Sequence, residues 1–326
     1  MAELNEAVGA LGLAAQQTAL LRGALTSGFL AHCADEVSVE DLARVTRLSP
    51  GRVRDLCAAL RAAEVLASDN PGRYRLSDTY APLLQHGTDV QIANQLAGAA
   101  VQAQLLEKLF TTDGPDRYGD LPDPDRAALA AGVTLAPSTA LARGLMSQLL
   151  EATPQWQELL TGDDVRYLEL GCGLSGGLLT MLQLHPRVTA VGVDLAGDLL
   201  DRARVQAATL GVADRVRYVH ADAAAFSDPE PFDVVFWSQF FFPAASRVKT
   251  LSNAYDRLRP GGLLVTPVLL TGPDTPQAAL NVALFRSWDI PVLTAEELGT
   301  ELGTAGFTAP AVHPGPSGTL VVARRP

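Results

Sequence analysis

The stretch Leu168-Glu169-Leu170-Gly171-Cys172-Gly173-Leu174-Ser175-Gly176-Gly177 joins a carboxylate to closely spaced glycines. Without a Cβ, glycines at 171 and 173 let the backbone turn sharply and approach a ligand. A loop built only for pyrophosphate gains nothing from Glu169 two residues before its first glycine. A ligand with a cationic amino-acid end does gain, because opposite charges attract at short range. Asp194 closes the run VTAVGVD, 23 positions after Gly171, where an acid can accept both hydroxyls of a ribose. Asp222 ends YVHAD, placed to accept a hydrogen bond from an adenine amino group. Each acid alone could equally be a helix N-cap or a solvated loop residue. All three at successive strand ends are hard to obtain by chance.

These positions need strands to carry them. Residues 165–170, 188–193, 216–220, 233–238 and 262–269 are β-rich, and helical patterns such as 199–210 and 246–258 lie between them. That rhythm predicts a parallel sheet with helices on both faces, and open sheets of this kind bind ligands at the strands' carboxyl ends. Residues 307–313 and 319–324 are too close together for a crossover, so an antiparallel hairpin is expected at the sheet edge.

The amino-terminal part reads differently. Ser38-Val39-Glu40-Asp41 has the form of a capping box, and Ser49-Pro50 supplies an N-cap with proline at the first helical position. Residues 64–68, the turn Asp69-Asn70-Pro71-Gly72 and residues 74–76 follow as strand, turn, strand. Helix, turn, helix and hairpin together predict a winged helix. The candidate recognition helix carries Arg52, Arg54 and Arg61 but also Asp55 and Glu64. A packing or dimerisation role therefore fits better than reading DNA. Residues 89–160 are helical in pattern, broken by loops at 111–116 and 121–125, and could roof a pocket.

Composition limits the alternatives. The chain has 326 residues, 48% hydrophobic and 19% charged, ample for a sizeable core, with a net charge of −11. That charge argues against a nucleic-acid partner, which needs clustered positive charge. The acidic start lacks a basic region before an apolar stretch, and Gln16, Gln17 and Arg22 interrupt the longest early apolar run. Neither a signal peptide nor a membrane partner is expected. The three cysteines, Cys33, Cys57 and Cys172, have no metal-like spacing, so no metal site is expected. A soluble, reduced, cytoplasmic protein is the expectation.

The sequence resembles the class I S-adenosylmethionine-dependent methyltransferases. More narrowly it is similar to the small-molecule O-methyltransferases with an N-terminal winged-helix dimerisation domain. YLELGCGLSGG, AVGVDL, VHADAAAF, LRPGG at 258–262 and the terminal hairpin after AGF carry the likeness over nearly the whole chain. It implies an α/β fold: a Rossmann-like class I domain with a mostly parallel seven-stranded sheet and an antiparallel edge hairpin, preceded by a mainly helical winged-helix domain. The expected divisions are 1–88 for dimerisation, 89–160 for a helical linker and lid, and 161–326 for catalysis. S-adenosyl-L-methionine is the implied cofactor, a small molecule the implied substrate, and a homodimer the implied assembly. Glu169 would sit by the methionine end, with Gly171, Cys172 and Gly173 giving close approach. Asp194 would bind the ribose and Asp222 the adenine, with Leu195, Ala223 and Ser238 also in the cofactor site. Met146, Gln239, Phe240 and Phe241 would line the substrate pocket.

One segment departs from that family. Its members usually carry, after the fourth strand, a histidine that deprotonates the substrate hydroxyl. Here Ser238-Gln239-Phe240-Phe241-Phe242-Pro243 puts Phe240 at that place. Gln239 can orient an acceptor but not take its proton at neutral pH. His32, His86, His185, His220 and His313 give no strong replacement, and Tyr118 and Asp116 are what the linker offers. The sequence leaves three readings open. The acceptor needs no enzyme base, a linker residue supplies one, or the cofactor serves a cyclisation or rearrangement. A winged-helix, ligand-sensing regulator is the non-enzyme alternative. If the segment lines the site, Gln239→Ala and Phe240→His should alter turnover more than folding.

Overall fold

The computed structural model describes residues 1–111, 117–268, 275–315 and 318–326. The chain divides into two compact units, Met1–Ala97 and Gly98–Pro326.

In the first unit α1 (Ala2–Thr26) leaves residues 1–19 exposed. The strand β1 (Val37–Ser38) leads directly into α2 (Val39–Thr46), and α3 (Pro50–Ala62) follows. Both expected N-caps form: Ser38 Oγ accepts from the Asp41 amide at 3.1 Å and Ser49 Oγ from the Arg52 amide at 3.3 Å. The strands β2 (Leu66–Ala67) and β3 (Arg73–Leu76) pair antiparallel, and β1 adds to the other edge of β3. The strand β1 is not legible in the sequence, because two residues are too short to show alternation. Leu30, Leu42, Val53, Leu60 and Leu66 form the core, with Cys33 and Cys57 buried among them. Burial pushes these thiols up to about 12 and about 11, which leaves them unreactive at neutral pH. The helix α4 (Thr88–Lys108) begins in this unit and crosses into the next.

The second unit opens with α5 (Asp123–Val133), α6 (Ala140–Glu151) and α7 (Pro154–Leu160). Strands and helices then alternate: β4 (Arg166–Leu170), α8 (Gly176–Leu184), β5 (Thr189–Asp194), α9 (Gly197–Thr209) and β6 (Val216–His220). After them come β7 (Phe232–Trp237), α10 (Ala244–Arg257), β8 (Leu258–Pro267), α11 (Pro276–Ser287), α12 (Ala295–Thr304), β9 (Thr308–Gly315) and β10 (Gly318–Arg324). The seven-stranded sheet runs β6-β5-β4-β7-β8-β10-β9. Its first five strands are parallel, and β10 pairs antiparallel with both β8 and β9. The expected edge hairpin is present, with its last strand on the inner side.

Side chains alternate across the sheet with period two. Tyr167, Ala190, Val234, Leu263 and Val265 face α6, α7 and α8 through Met146, Leu150, Trp156 and Leu179. Leu168, Leu170, Val191, Val193, Val235 and Trp237 face α10 and α12 through Leu251, Ala254, Leu298 and Leu302. The chain leaves β4 towards β5 and β6, then returns to β7 on the other side of β4. This reversal opens a crevice at the carboxyl ends of β4 and β7. Among the described residues no helix is long and apolar enough to cross a membrane.

Candidate cofactor and acceptor site

Glu169 lies on the face of β4 that also carries Tyr167, opposite Gly192 of β5 and Phe236 of β7. It is buried, and its Oε2 has no hydrogen-bond partner. Burial first, and the Asp194 charge second, push its carboxyl up to about 8. A buried acid without a partner is costly, so this position calls for a cation or donor from a ligand.

The turn after β4 is left-handed at alternate residues: Gly171 (φ 73°), Gly173 (φ 50°) and Ser175 (φ 56°). A side chain at Gly171 would bring its Cβ to 2.6 Å from Phe242 Cε2 and 3.0 Å from the Ser238 carbonyl. At Gly173 the nearest atom would be Leu199 Cδ1 at 3.9 Å, so that side of the loop is open. Asp194 is pinned at the tip of β5. Its Oδ2 accepts from the Gly173 amide at 2.7 Å and its Oδ1 from the Ala196 amide at 2.8 Å. Burial raises its pKa, and these two amides pull it back. Cys172 is buried beside it, with its thiol pushed well up by burial and then by the Asp194 charge.

Leu195, next in sequence, is 68% exposed beside the half-buried Asp194. Asp222 is exposed and holds the turn after β6 by accepting from the Ala224 amide at 2.9 Å. Ala223 is buried, and its carbonyl accepts from Asn253 Nδ2 at 2.7 Å. The Ser238 amide donates to the Leu170 carbonyl at 2.9 Å, which joins β7's exit to β4's. Glu169, the glycine turn, Asp194 and Ser238 therefore share one strand-end crevice, with Leu195, Asp222 and Ala223 at the ends of the neighbouring β5 and β6.

The phenylalanine segment does not act as one wall. Phe242 packs on Gly171 and makes an edge contact with Trp237, centroids 5.7 Å apart. Phe240 and Phe241 join an apolar cluster with Leu105 of α4, Leu129 of α5, Phe285 of α11 and Trp288. Tyr118 stacks on Phe241 at 3.9 Å with an interplanar angle of 10°. Met146 sits in another cluster, between α6 and α8, with its Cε 3.8 Å from where a Gly177 Cβ would be.

Gln239 is 1% exposed and fully engaged. Its Nε2 donates to the Pro267 carbonyl at 2.5 Å, and its Oε1 accepts from Arg247 Nη2 at 2.8 Å. Arg247 is also buried, bonded to both Glu301 carboxylate oxygens at 2.8 and 2.5 Å and lying 4.6 Å over the Trp237 ring. The amide expected to orient an acceptor thus braces β7 against α10, α12 and β8. Tyr118 is a poor base: its hydroxyl donates to the Arg126 carbonyl at 3.2 Å, and burial raises its pKa, helped by Asp194. Asp116 lies outside the described residues. His220 Nε2 contacts the Leu195 carbonyl at 2.8 Å and His313 Nδ1 the Ala152 carbonyl at 3.1 Å, which gives both a structural use. His185 caps the end of α8, where burial lowers its pKa. No group of three or more metal-ligating side chains occurs among the described residues.

Sequence reasoning missed Arg126 and Asp198. Arg126 Nη2 and Nε reach Asp198 Oδ1 at 2.9 and 3.2 Å, across 72 positions of sequence. A lone arginine within the acidic run DPDR was the available signal, but nothing in the sequence names its partner.

Residues 168–262 match a family described as "Methyltransferase domain". A ubiquinone biosynthesis O-methyltransferase of Ruegeria pomeroyi is 31% identical over 125 residues, 38% of this chain and 49% of that protein. The chain thus spans about half the length of such a relative. The pyocyanin biosynthetic protein PhzM superposes with a TM-score of 0.69 at 19% identity, covering 100% of both chains. A methyltransferase of calicheamicin biosynthesis, solved with SAH bound, superposes at 0.65 and 18%, covering 100% of this chain and 99% of that one. The chain shares its fold with these two solved proteins over its full length.

Proposed function

We propose that the chain binds S-adenosylmethionine and transfers its methyl group to a small aromatic or apolar acceptor without an enzyme base. The observation that carries this reading is the buried, unpartnered Oε2 of Glu169 beside the left-handed turn at Gly171 and Gly173. The described residues fit the cofactor. Glu169 would meet the cationic amino end, the open side of Gly173 would admit close backbone approach, and Asp194 would accept the ribose hydroxyls. Leu195 would cover one face of the adenine, while Asp222 would take its amino group and Ala223 its edge. When bound, S-adenosylmethionine supplies a methyl group on a positively charged sulfur.

The remaining work falls to the chain's own side chains. Phe240, Phe241 and Tyr118 would hold a flat acceptor and exclude water, so the barrier falls mainly through alignment and desolvation. Aromatic faces near a sulfonium also attract it. With phenylalanine at 240 and Gln239 engaged in bracing, the fitting acceptors are already nucleophilic: an acidic phenol, an enolised carbon or a neutral amine.

The unit Met1–Ala97 supports a homodimer reading. Its helix–helix–hairpin order matches a winged helix. Leu4, Val8 and Leu11 of α1 repeat at helical spacing and are 56%, 59% and 74% exposed. The functional divisions at 1–88, 89–160 and 161–326 belong to the same reading.

The test is formation of S-adenosylhomocysteine with a panel of phenols of graded acidity. Turnover should favour phenols ionised at the assay pH and rise as pH crosses each phenol's own pKa. Cofactor binding with no S-adenosylhomocysteine formed across phenol, enol and amine panels would overturn methyl transfer.

A further inference from the structure

Arg126 occupies a singular position in the second unit. From α5 its guanidinium makes bonds in three directions. Nη1 donates to the Gly119 and Leu121 carbonyls at 3.2 and 2.9 Å, Nη2 to Asp123 at 2.5 Å, and Nε with Nη2 to Asp198. Its own main-chain carbonyl accepts the Tyr118 hydroxyl at 3.2 Å. One residue thus fixes the whole 118–121 turn, whose tyrosine lies on Phe241.

At its far end Arg126 grips the first turn of α9. Asp198 lies four residues beyond Asp194, and its charge opposes that of Asp194. The pair is well shielded, with side-chain exposures of 12% and 21%. Beside it Ala127 and Ala130 of α5 pack on Leu174 of the glycine turn and on Leu199 of α9. The 118–121 turn and the start of α9 are therefore joined by a short, partly buried, charge-assisted contact, the type of bond whose strength depends most on geometry.

We propose that Arg126, through Asp198, is the positioning residue that couples occupancy of the cofactor crevice to order in the acceptor wall. A nucleoside bound at Asp194 would steady the start of α9, and the Arg126 clamp would carry that order to the 118–121 turn and the Tyr118–Phe241 stack. The acceptor site would be assembled by the cofactor, which gives ordered binding with cofactor first. This rests on the cofactor reading above, and two-site coupling is its thermodynamic content.

The experiment is amide hydrogen exchange of the full chain with and without S-adenosylhomocysteine, in wild type, Arg126→Gln and Asp198→Asn. In wild type the ligand should slow exchange at 171–175 and 194–198 and also at 117–121 and 239–242, the latter by about fivefold or more. In both variants slowing should persist at the first two segments and vanish at the last two, with unchanged protection of β4, β7 and β8 as the folding control. If one variant fails that control, the other decides. Slowing at 117–121 and 239–242 that survives both substitutions, or that is absent in wild type despite binding, overturns the coupling. Failure of wild type to bind at millimolar ligand overturns the cofactor reading, and the coupling with it.

Discussion

Glu169 is where a single residue's chemistry is most exposed to test. Its carboxyl is raised to about 8 from an ordinary 4.5, chiefly by burial. The free protein binds a proton there that the unfolded chain releases, so stability is greatest below about pH 4.5 and is lost as pH rises towards 8. The total loss from this group is on the order of 5 kcal/mol. A cationic ligand favours the charged form, so cofactor affinity should strengthen as pH rises to 8. Glu169→Gln should weaken cofactor binding, flatten that pH dependence, and raise the free protein's melting temperature at pH 8. Calorimetric titrations and melts at pH 6 to 9 measure all three. Tyr118 gives the complementary check. Since its hydroxyl donates to a carbonyl, Tyr118→Phe should keep turnover within about threefold with an unshifted pH profile. A shifted profile would mark it as a base after all.

Among the elements, the segment after β7 repays the closest attention. We expect Gln239→Ala to act through stability rather than turnover, because it removes the buried amide's bonds to Arg247 Nη2 and to the Pro267 carbonyl. The cost should be about 1–3 kcal/mol in a denaturant melt. Arg247→Met should cost about 3–5 kcal/mol by leaving Glu301 partly buried without its partner. Phe240→His and Phe241→Ala, by contrast, alter the apolar cluster and should change turnover more than melting. Gln239 and Phe240, adjacent in sequence, thus have different surroundings: one is hydrogen-bonded to Pro267 and Arg247, the other packs in the apolar cluster. The strands themselves were legible as short β-rich, mostly apolar runs bounded by turns, such as those holding Leu168, Leu170, Val191 and Val193. The bracing of Gln239 was hidden, since Pro267 and Glu301 lie 28 and 62 positions away and no local pattern announces them. The same blindness to long-range pairing concealed the bond between Arg126 and Asp198. The placing of the glycine turn and of the acids at 169, 194 and 222 in or just after β4, β5 and β6 was readable, because the strand and turn patterns that set it are local.

At the scale of the whole molecule, α1 exposes Leu4, Val8 and Leu11 on a helix whose residues 2–19 are all exposed. A helix with that much uncovered apolar surface is marginal alone and gains by burial against a second copy. Replacing these three residues by lysine should convert a dimer to a monomer in sedimentation, leaving the circular dichroism of the sheet unchanged. A wild-type monomer at micromolar concentration would contradict the assembly. The central claim, that the crevice between β4 and β7 is an S-adenosylmethionine site, is decided by one calorimetric titration with S-adenosylmethionine, run on wild type and Asp194→Ala side by side. We expect one site per chain with a micromolar dissociation constant in wild type, weakened at least about tenfold by the loss of the ribose acceptor, on the order of 1.4 kcal/mol. No binding at millimolar ligand, or equal affinity in the two proteins, would contradict it.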